Sequence, residues 1–164
     1  MARRFDYAQA EEIRAAFGRH GVRYLFLGKS GAILLGYPDT TQDADLFLEK
    51  TPANGTQTVL ALRELGFVLT HAQAEEIVTG KDFVQLKDGP FDLDLVFAPD
   101  GIETFAEAWG RHVEVEGFPV CHPDDIIRSK EAAGRAKDRE VLPRLRAFRD
   151  YWFGQQLGKR KSDP

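Results

Sequence analysis

The chain has 164 residues, 43% of them hydrophobic and 29% charged, the composition of one globular domain large enough to bury a core. No segment approaches the ~20 consecutive apolar residues of a bilayer span, and the first residues lack the apolar run of a secretory leader. The net charge of −4 argues against a surface built to coat nucleic acid, and the single cysteine, Cys121, excludes an intrachain disulfide, so a cytoplasmic location with no membrane contact is expected.

In chain order, Asp6 to Arg19 reads as an amphipathic helix with Ala10, Ile13, Ala16 and Phe17 on one face, closed by His20-Gly21. Val22 to Leu27 is a short apolar strand. Ser30 to Leu35 fits a buried helix ended by Gly36-Tyr37-Pro38, and a strand containing Asp43-Ala44-Asp45-Leu46-Phe47-Leu48 follows. Thr51-Pro52 starts a helix that Gly66 stops after Leu65. Phe67 to Thr70 is expected as a strand, while Ala72 to Lys81 suits either a loop or a short helix. Phe83 to Lys87 and Phe91 to Phe97 form a hairpin around Asp88-Gly89-Pro90. Gly101 to Trp109 is expected as a helix, Val113 to Glu116 and Phe118 to Cys121 as short strands, Pro123 to Gly134 as a helix, and a longer helix runs from Lys137 into the 150s. This order predicts an α/β (α+β) fold with a mixed sheet and flanking helices. The expected division is a core over 1–122, C-terminal helices packed on it over 123–157, and a disordered tail over 158–164.

The charge is unevenly divided. Residues 1–127 contain 11 Lys/Arg against 21 Asp/Glu, whereas residues 128–164 contain 11 against 5. A basic C-terminal element beside an acidic body can grip phosphate, although solvated helices account for such a run equally well.

Two acidic pairs carry the chemistry. Alternate strand residues share a face, so Asp43 and Asp45 project together while Leu46 and Leu48 enter the core. Asp92 and Asp94 repeat the pattern in Phe91-Asp92-Leu93-Asp94-Leu95-Val96-Phe97. If the two strands are neighbours, three or four carboxylates converge, and such like charges need a cation. The alternative is a pair of unrelated solvent-facing strands. With the turn Leu27-Gly28-Lys29-Ser30-Gly31 just upstream, the carboxylates could seat Mg²⁺ and a nucleoside triphosphate. Gly28-Lys29-Ser30 is not a P-loop, because Arg23 stands where that motif needs its first glycine. The four histidines, His20, His71, His112 and His122, lack zinc-ligand spacing.

The stretch from Leu27 to Leu46, with its Gly-Tyr-Pro-x-Thr-Thr-x-Asp-x-Asp core at 36–45, resembles the signature of the nucleotidyltransferase (polymerase β-like) superfamily. It is most similar to small bacterial members related to AbiEii-type toxins and to minimal nucleotidyltransferases. Pro123 to Lys130, followed by Arg135, Lys137 and Asp138, extends the resemblance. It implies transfer of a nucleoside monophosphate from an NTP to a hydroxyl of RNA, protein or a small molecule. Asp43, Asp45 and Asp94 would be the catalytic carboxylates and would hold Mg²⁺ or Mn²⁺, with Asp94 preferred to Asp92. Gly28, Lys29, Ser30 and Lys130 would contact the nucleotide. A cognate toxin or antitoxin protein is an implied partner. Two positions depart from the pattern: Lys29 replaces a small residue in the turn, and Asp39 stands where relatives commonly carry arginine. They keep open a catalytically degenerate member that only binds a nucleotide or a partner protein.

Overall fold

A computed structural model describes residues 4–162 of the chain. Its elements in order are α1 (Tyr7–Arg19), β1 (Tyr24–Leu27), α2 (Gly28–Leu34), β2 (Ala44–Leu48), α3 (Pro52–Leu65), α4 (His71–Thr79), β3 (Phe83–Leu86), β4 (Leu93–Val96), α5 (Phe105–Arg111), β5 (Val113–Val115), β6 (Phe118–Val120), α6 (Pro123–Ala133) and α7 (Ala136–Ser162). The six strands form one mixed sheet in the order β3-β4-β2-β1-β6-β5. β2 pairs parallel with β4, and β1 pairs parallel with β6; the remaining neighbours are antiparallel. Among the described residues, no helix is long and apolar enough to cross a membrane.

Local chemistry accounts for most of the boundaries. The Asp6 carboxylate accepts the Gln9 N–H at 2.9 Å and starts α1. Thr51 caps α3 ahead of Pro52, and Gly66 ends that helix in the left-handed region. The expected strand over Phe67 to Thr70 does not form. Thr70 instead exchanges hydrogen bonds with Gln73 in a capping box, and this resolves the ambiguous 72–81 segment as α4. Similarly, Thr104 caps α5 by accepting from Glu107 N–H, so that helix begins four residues after Gly101. The hairpin over Asp88-Gly89-Pro90 is present, with Leu86 opposite Leu93.

The central strands of the sheet are buried on both sides. Leu46 and Leu48 are fully buried, as expected, but so is Phe47, which packs edge-on against Phe105. Phe17, Tyr24, Phe26 and Phe118 form a chain of edge-to-face ring contacts beneath α1. At the end of the sheet away from the acidic pairs, Asn54 joins two strands: its amide accepts from Arg23 N–H and donates to the carbonyls of Arg23 and Glu49.

The C-terminal helices lie against α2. Ile126, Ile127, Leu145 and Phe148 meet Ala32 and Leu35, and Tyr37 packs edge-on to Phe148 at 5.5 Å. α7 continues to Ser162, so the disorder expected from residue 158 is replaced by helix there, and 163–164 lie outside the described residues. Gln, Leu, Lys and Arg around Gly158 are good helix formers, and one glycine costs about 1 kcal/mol, too little to stop a long helix.

Candidate active site

The edge-to-edge order of the strands brings the acidic residues together. In the parallel β2–β4 register Asp45 lies directly opposite Asp94, and in the antiparallel β1–β2 register Asp45 lies opposite Leu27, the last residue before the glycine turn. Strand neighbours are about 4.8 Å apart, so the Gly28 turn, Asp45 and Asp94 form one row across three strands. Asp43 precedes β2 and lines the same cavity, which has a volume of about 730 Å³. That is the size of a small-molecule site. Gly28, Lys29 and Lys130 also line it, whereas Asp92 and Ser30 do not.

Gly28 is required twice over. Its φ of +62° lies in the left-handed region, and a Cβ there would stand 2.1 Å from Asp45 Oδ2. The turn therefore lies against the carboxylate with no room for a side chain. Ser30, expected to touch the nucleotide, has a structural task instead. Its buried hydroxyl donates to Leu27 O at 2.8 Å and accepts from Asp45 N–H at 3.0 Å, pinning the first turn of α2 to β2. That bond fixes the Asp45 backbone, so Ser30 acts on the site by positioning. α2 itself has no side-chain cap at its N-terminus.

The electrostatics of the acidic row are unfavourable as they stand. Burial, then the charge of Asp94, pushes the Asp45 carboxyl up to about 8. Burial, then the charge of Asp43, also raises Asp94 above the ordinary carboxylate range. Two carboxylates facing each other in a partly dry cavity favour holding a proton or meeting a cation. Among the described residues, no three His, Cys, Asp or Glu side chains are already grouped as a metal cage. The Asp45–Asp94 pair with Asp43 beside it supplies hard oxygen donors that suit Mg²⁺ or Mn²⁺, and its raised proton affinity comes first from burial and then from like charge.

A basic wall faces the row. Lys130, on α6, lies 3.6 Å from Asp138, which is 1% exposed and also accepts from Arg135 at 2.8 Å. Burial by itself would raise Asp138, but the hydrogen bond from Arg135 and the charge of Lys130 outweigh it and hold that carboxyl below its ordinary range. Burial also pulls the Lys130 ammonium below its ordinary value, against the attraction of Asp138 and Asp45. Arg135 and Lys137 line the cavity as well. The two departures noted in the sequence meet each other: Lys29 Nζ lies 3.1 Å from Asp39 Oδ2, and Arg144 approaches the same oxygen at 3.9 Å.

The third wall is one that the motifs do not indicate. Phe83, Gln85 and Lys87 run along β3 into the loop after it, all exposed and all lining the cavity. Their alternation with the buried Val84 and Leu86 is the one signal the sequence holds for them.

No family model matches the chain, and no curated protein matches it in sequence. In three dimensions it is similar to a crystal structure of a Thermotoga maritima protein proposed to be a nucleotidyltransferase. The TM-score is 0.56 at 15% identity, over 87% of this chain and 92% of that one. The six-stranded mixed sheet, flanking helices and long C-terminal helix are thus those of a nucleotidyltransferase-like α/β fold.

Proposed function

We propose that this chain is a nucleotidyltransferase that depends on Mg²⁺ or Mn²⁺ and moves a nucleoside monophosphate from an NTP to an acceptor hydroxyl. The observation that carries this reading is the Asp45–Asp94 register beneath Gly28: two carboxylates raised by burial and by like charge, from Asp94 on Asp45 and from Asp43 on Asp94, under a turn that excludes any side chain. Asp43, Asp45 and Asp94 would hold the metal. Once bound, a divalent ion there offsets phosphate charge and orients phosphate oxygens. Gly28 lets the triphosphate approach the backbone, Lys130 and Lys29 take phosphate charge, and Asp138 holds Lys130 in place. The acceptor oxygen forms a bond to the α-phosphorus, the bond to pyrophosphate breaks, and the hydroxyl proton leaves to solvent. Catalysis on this account is positioning and charge neutralisation.

Calorimetry with each NTP, with and without Mg²⁺, tests the proposal. Metal-dependent binding that Asp45→Asn abolishes supports it, and no binding of any NTP ends it. The Lys29–Asp39 pair favours a second reading, in which the turn's added cation is neutralised internally and the protein only binds a nucleotide or a cognate partner, as in a toxin–antitoxin pair. A stoichiometric protein partner retained by an Asp43→Asn/Asp45→Asn double variant, with no transfer by the unmodified protein, would favour that reading.

A further inference from the structure

The spatial order of the strands assigns the two substrates to opposite walls. Following β1, β2, β4 and β3 across the sheet, the cavity presents Gly28 and Lys29, then Asp45, then Asp94, then the Phe83–Gln85–Lys87 row. In-line displacement puts the attacking oxygen and the leaving pyrophosphate on opposite sides of the α-phosphorus. With the pyrophosphate on the glycine turn and the Lys130 side, the acceptor must enter over β3. This step rests on the proposed transfer reaction.

β3 carries chemistry suited to one kind of acceptor. Phe83 is an edge-strand aromatic left 47% exposed at the cavity wall. Gln85 lies opposite Asp94 in the β3–β4 register, and Lys87 follows on the same alternation. At about 3.3 Å per residue, Phe83 and Lys87 are about 13 Å apart along the strand, with Gln85 and Asp94 midway. A terminal nucleotide presents a flat base, a ribose and a phosphate in that order. We infer that the Phe83–Gln85–Lys87 row receives the terminal nucleotide of a single-stranded nucleic acid, with its base on Phe83, its ribose hydroxyl beside Asp94 and its phosphate at Lys87.

Charge sets the direction. Asp82 lines the cavity at the Phe83 end and repels phosphate there, while Asp88, next to Lys87, does not line it. The base must be unstacked to lie on the ring, which requires a single strand. A protein serine or tyrosine would offer Lys87 no phosphate. In the transfer, the ribose oxygen gains the α-phosphoryl group, pyrophosphate departs with the broken P–O bond, and the hydroxyl proton goes to solvent.

The test uses short 5′-labelled single-stranded RNA and DNA oligonucleotides in fluorescence anisotropy, beside NTP–Mg²⁺ calorimetry on the same variants. Phe83→Ala should weaken oligonucleotide binding about tenfold, the scale of one base–aromatic stack, while NTP affinity stays unchanged. Phe83→Tyr should retain binding, and Lys87→Ala should weaken it and lower its salt dependence by about one ion. The inference is overturned if neither oligonucleotide binds, if Phe83→Ala binds them as the unmodified protein does, or if Phe83→Ala loses NTP affinity instead. In a parallel assay with α-labelled NTP, label transferred to protein hydroxyls and none to the oligonucleotides overturns it too. Oligonucleotide binding that depends on Phe83, in a protein that binds no NTP, would keep the β3 row as a nucleic-acid site and reject the transfer reaction alone.

Discussion

Two groups of buried carboxylates, on either side of one cavity, are treated in opposite ways. Asp138 is matched: Lys130 and Arg135 surround it and hold its carboxyl low. Asp45 and Asp94 face each other, and both are raised. The first arrangement contributes to stability and anchors a lysine. The second costs stability in the absence of a ligand, and a fold tolerates that where a cation or substrate later supplies the missing charge. On the proposed reaction, the contrast separates acids that build the site from acids that would act in it.

Breaking the unmatched side should have the largest effect. Asp45→Asn is expected to lower transfer by about 10²–10³-fold, the scale of losing one electrostatic stabiliser at a reacting group. The same variant should raise the Tm of metal-free protein near neutral pH, because folding no longer has to hold a proton on a carboxyl that is ionised in the unfolded chain; an unchanged or lower Tm would remove Asp45 from the unmatched class. The pH dependence follows from the same shift. An acid raised from 3.8 to about 8 on folding binds more protons in the native state between those values. Stability of the metal-free protein should therefore fall as pH rises through that window. Urea unfolding of Asp45→Asn across the same range should give a flatter profile, and Mg²⁺ should remove much of the slope from the unmodified protein.

On the matched side, Asp138→Ala should cost about 3 kcal/mol in urea unfolding, since it leaves Lys130 partly buried without its partner. Its pH signature has the opposite sign. The depressed carboxyl stabilises above its unfolded value, and that contribution disappears as pH falls through the lower folded value. NTP affinity should fall as well, because Lys130 loses its anchor. Loss of stability with unchanged NTP affinity would confine Asp138 to the fold.

Gly28→Ala tests the contact between the turn and the unmatched pair. Strained backbone at φ +62° and a Cβ driven into Asp45 should cost about 1–3 kcal/mol, with loss of metal-dependent NTP binding. The smallest expected effect is at the rim. Lys29 and Asp39 are both partly exposed, so Lys29→Ala should change stability by less than about 1 kcal/mol, and calorimetry should report its effect mainly as weaker NTP binding.

Much of this was legible from residue order, for reasons particular to each element. Apolar alternation around Asp43, Asp45, Asp92 and Asp94 marks strands because strand geometry has a period of two. Gly28 stands out because it sits where an apolar run turns into a helix. The 67–70 segment misled because four apolar or β-branched residues resemble a strand, whereas Thr70 and Gln73 together hold the start of a helix. Ser30 was legible as a polar residue in the turn but not in its task, since its partner Asp45 N–H is fifteen residues away. Phe83 looked like any strand aromatic, because its exposure depends on β3 being the edge of the sheet.

The sequence by itself determined most of the strands and helices, the two acidic pairs, the turn before them and the basic C-terminal run, since each is encoded in periodicity or in short-range capping. Only the tertiary structure decided that β4 lies beside β2 and not elsewhere. That parallel pairing places Asp94 against Asp45 and chooses it over Asp92 for the cavity, whereas Asp138 takes its direct ion pairs from Lys130 and Arg135 close by in the chain. The physical reason is that charge and burial act through space. Asp138 finds its cations a few residues away, but Asp45 meets a like charge only because the fold brings Asp94 to it from dozens of residues away.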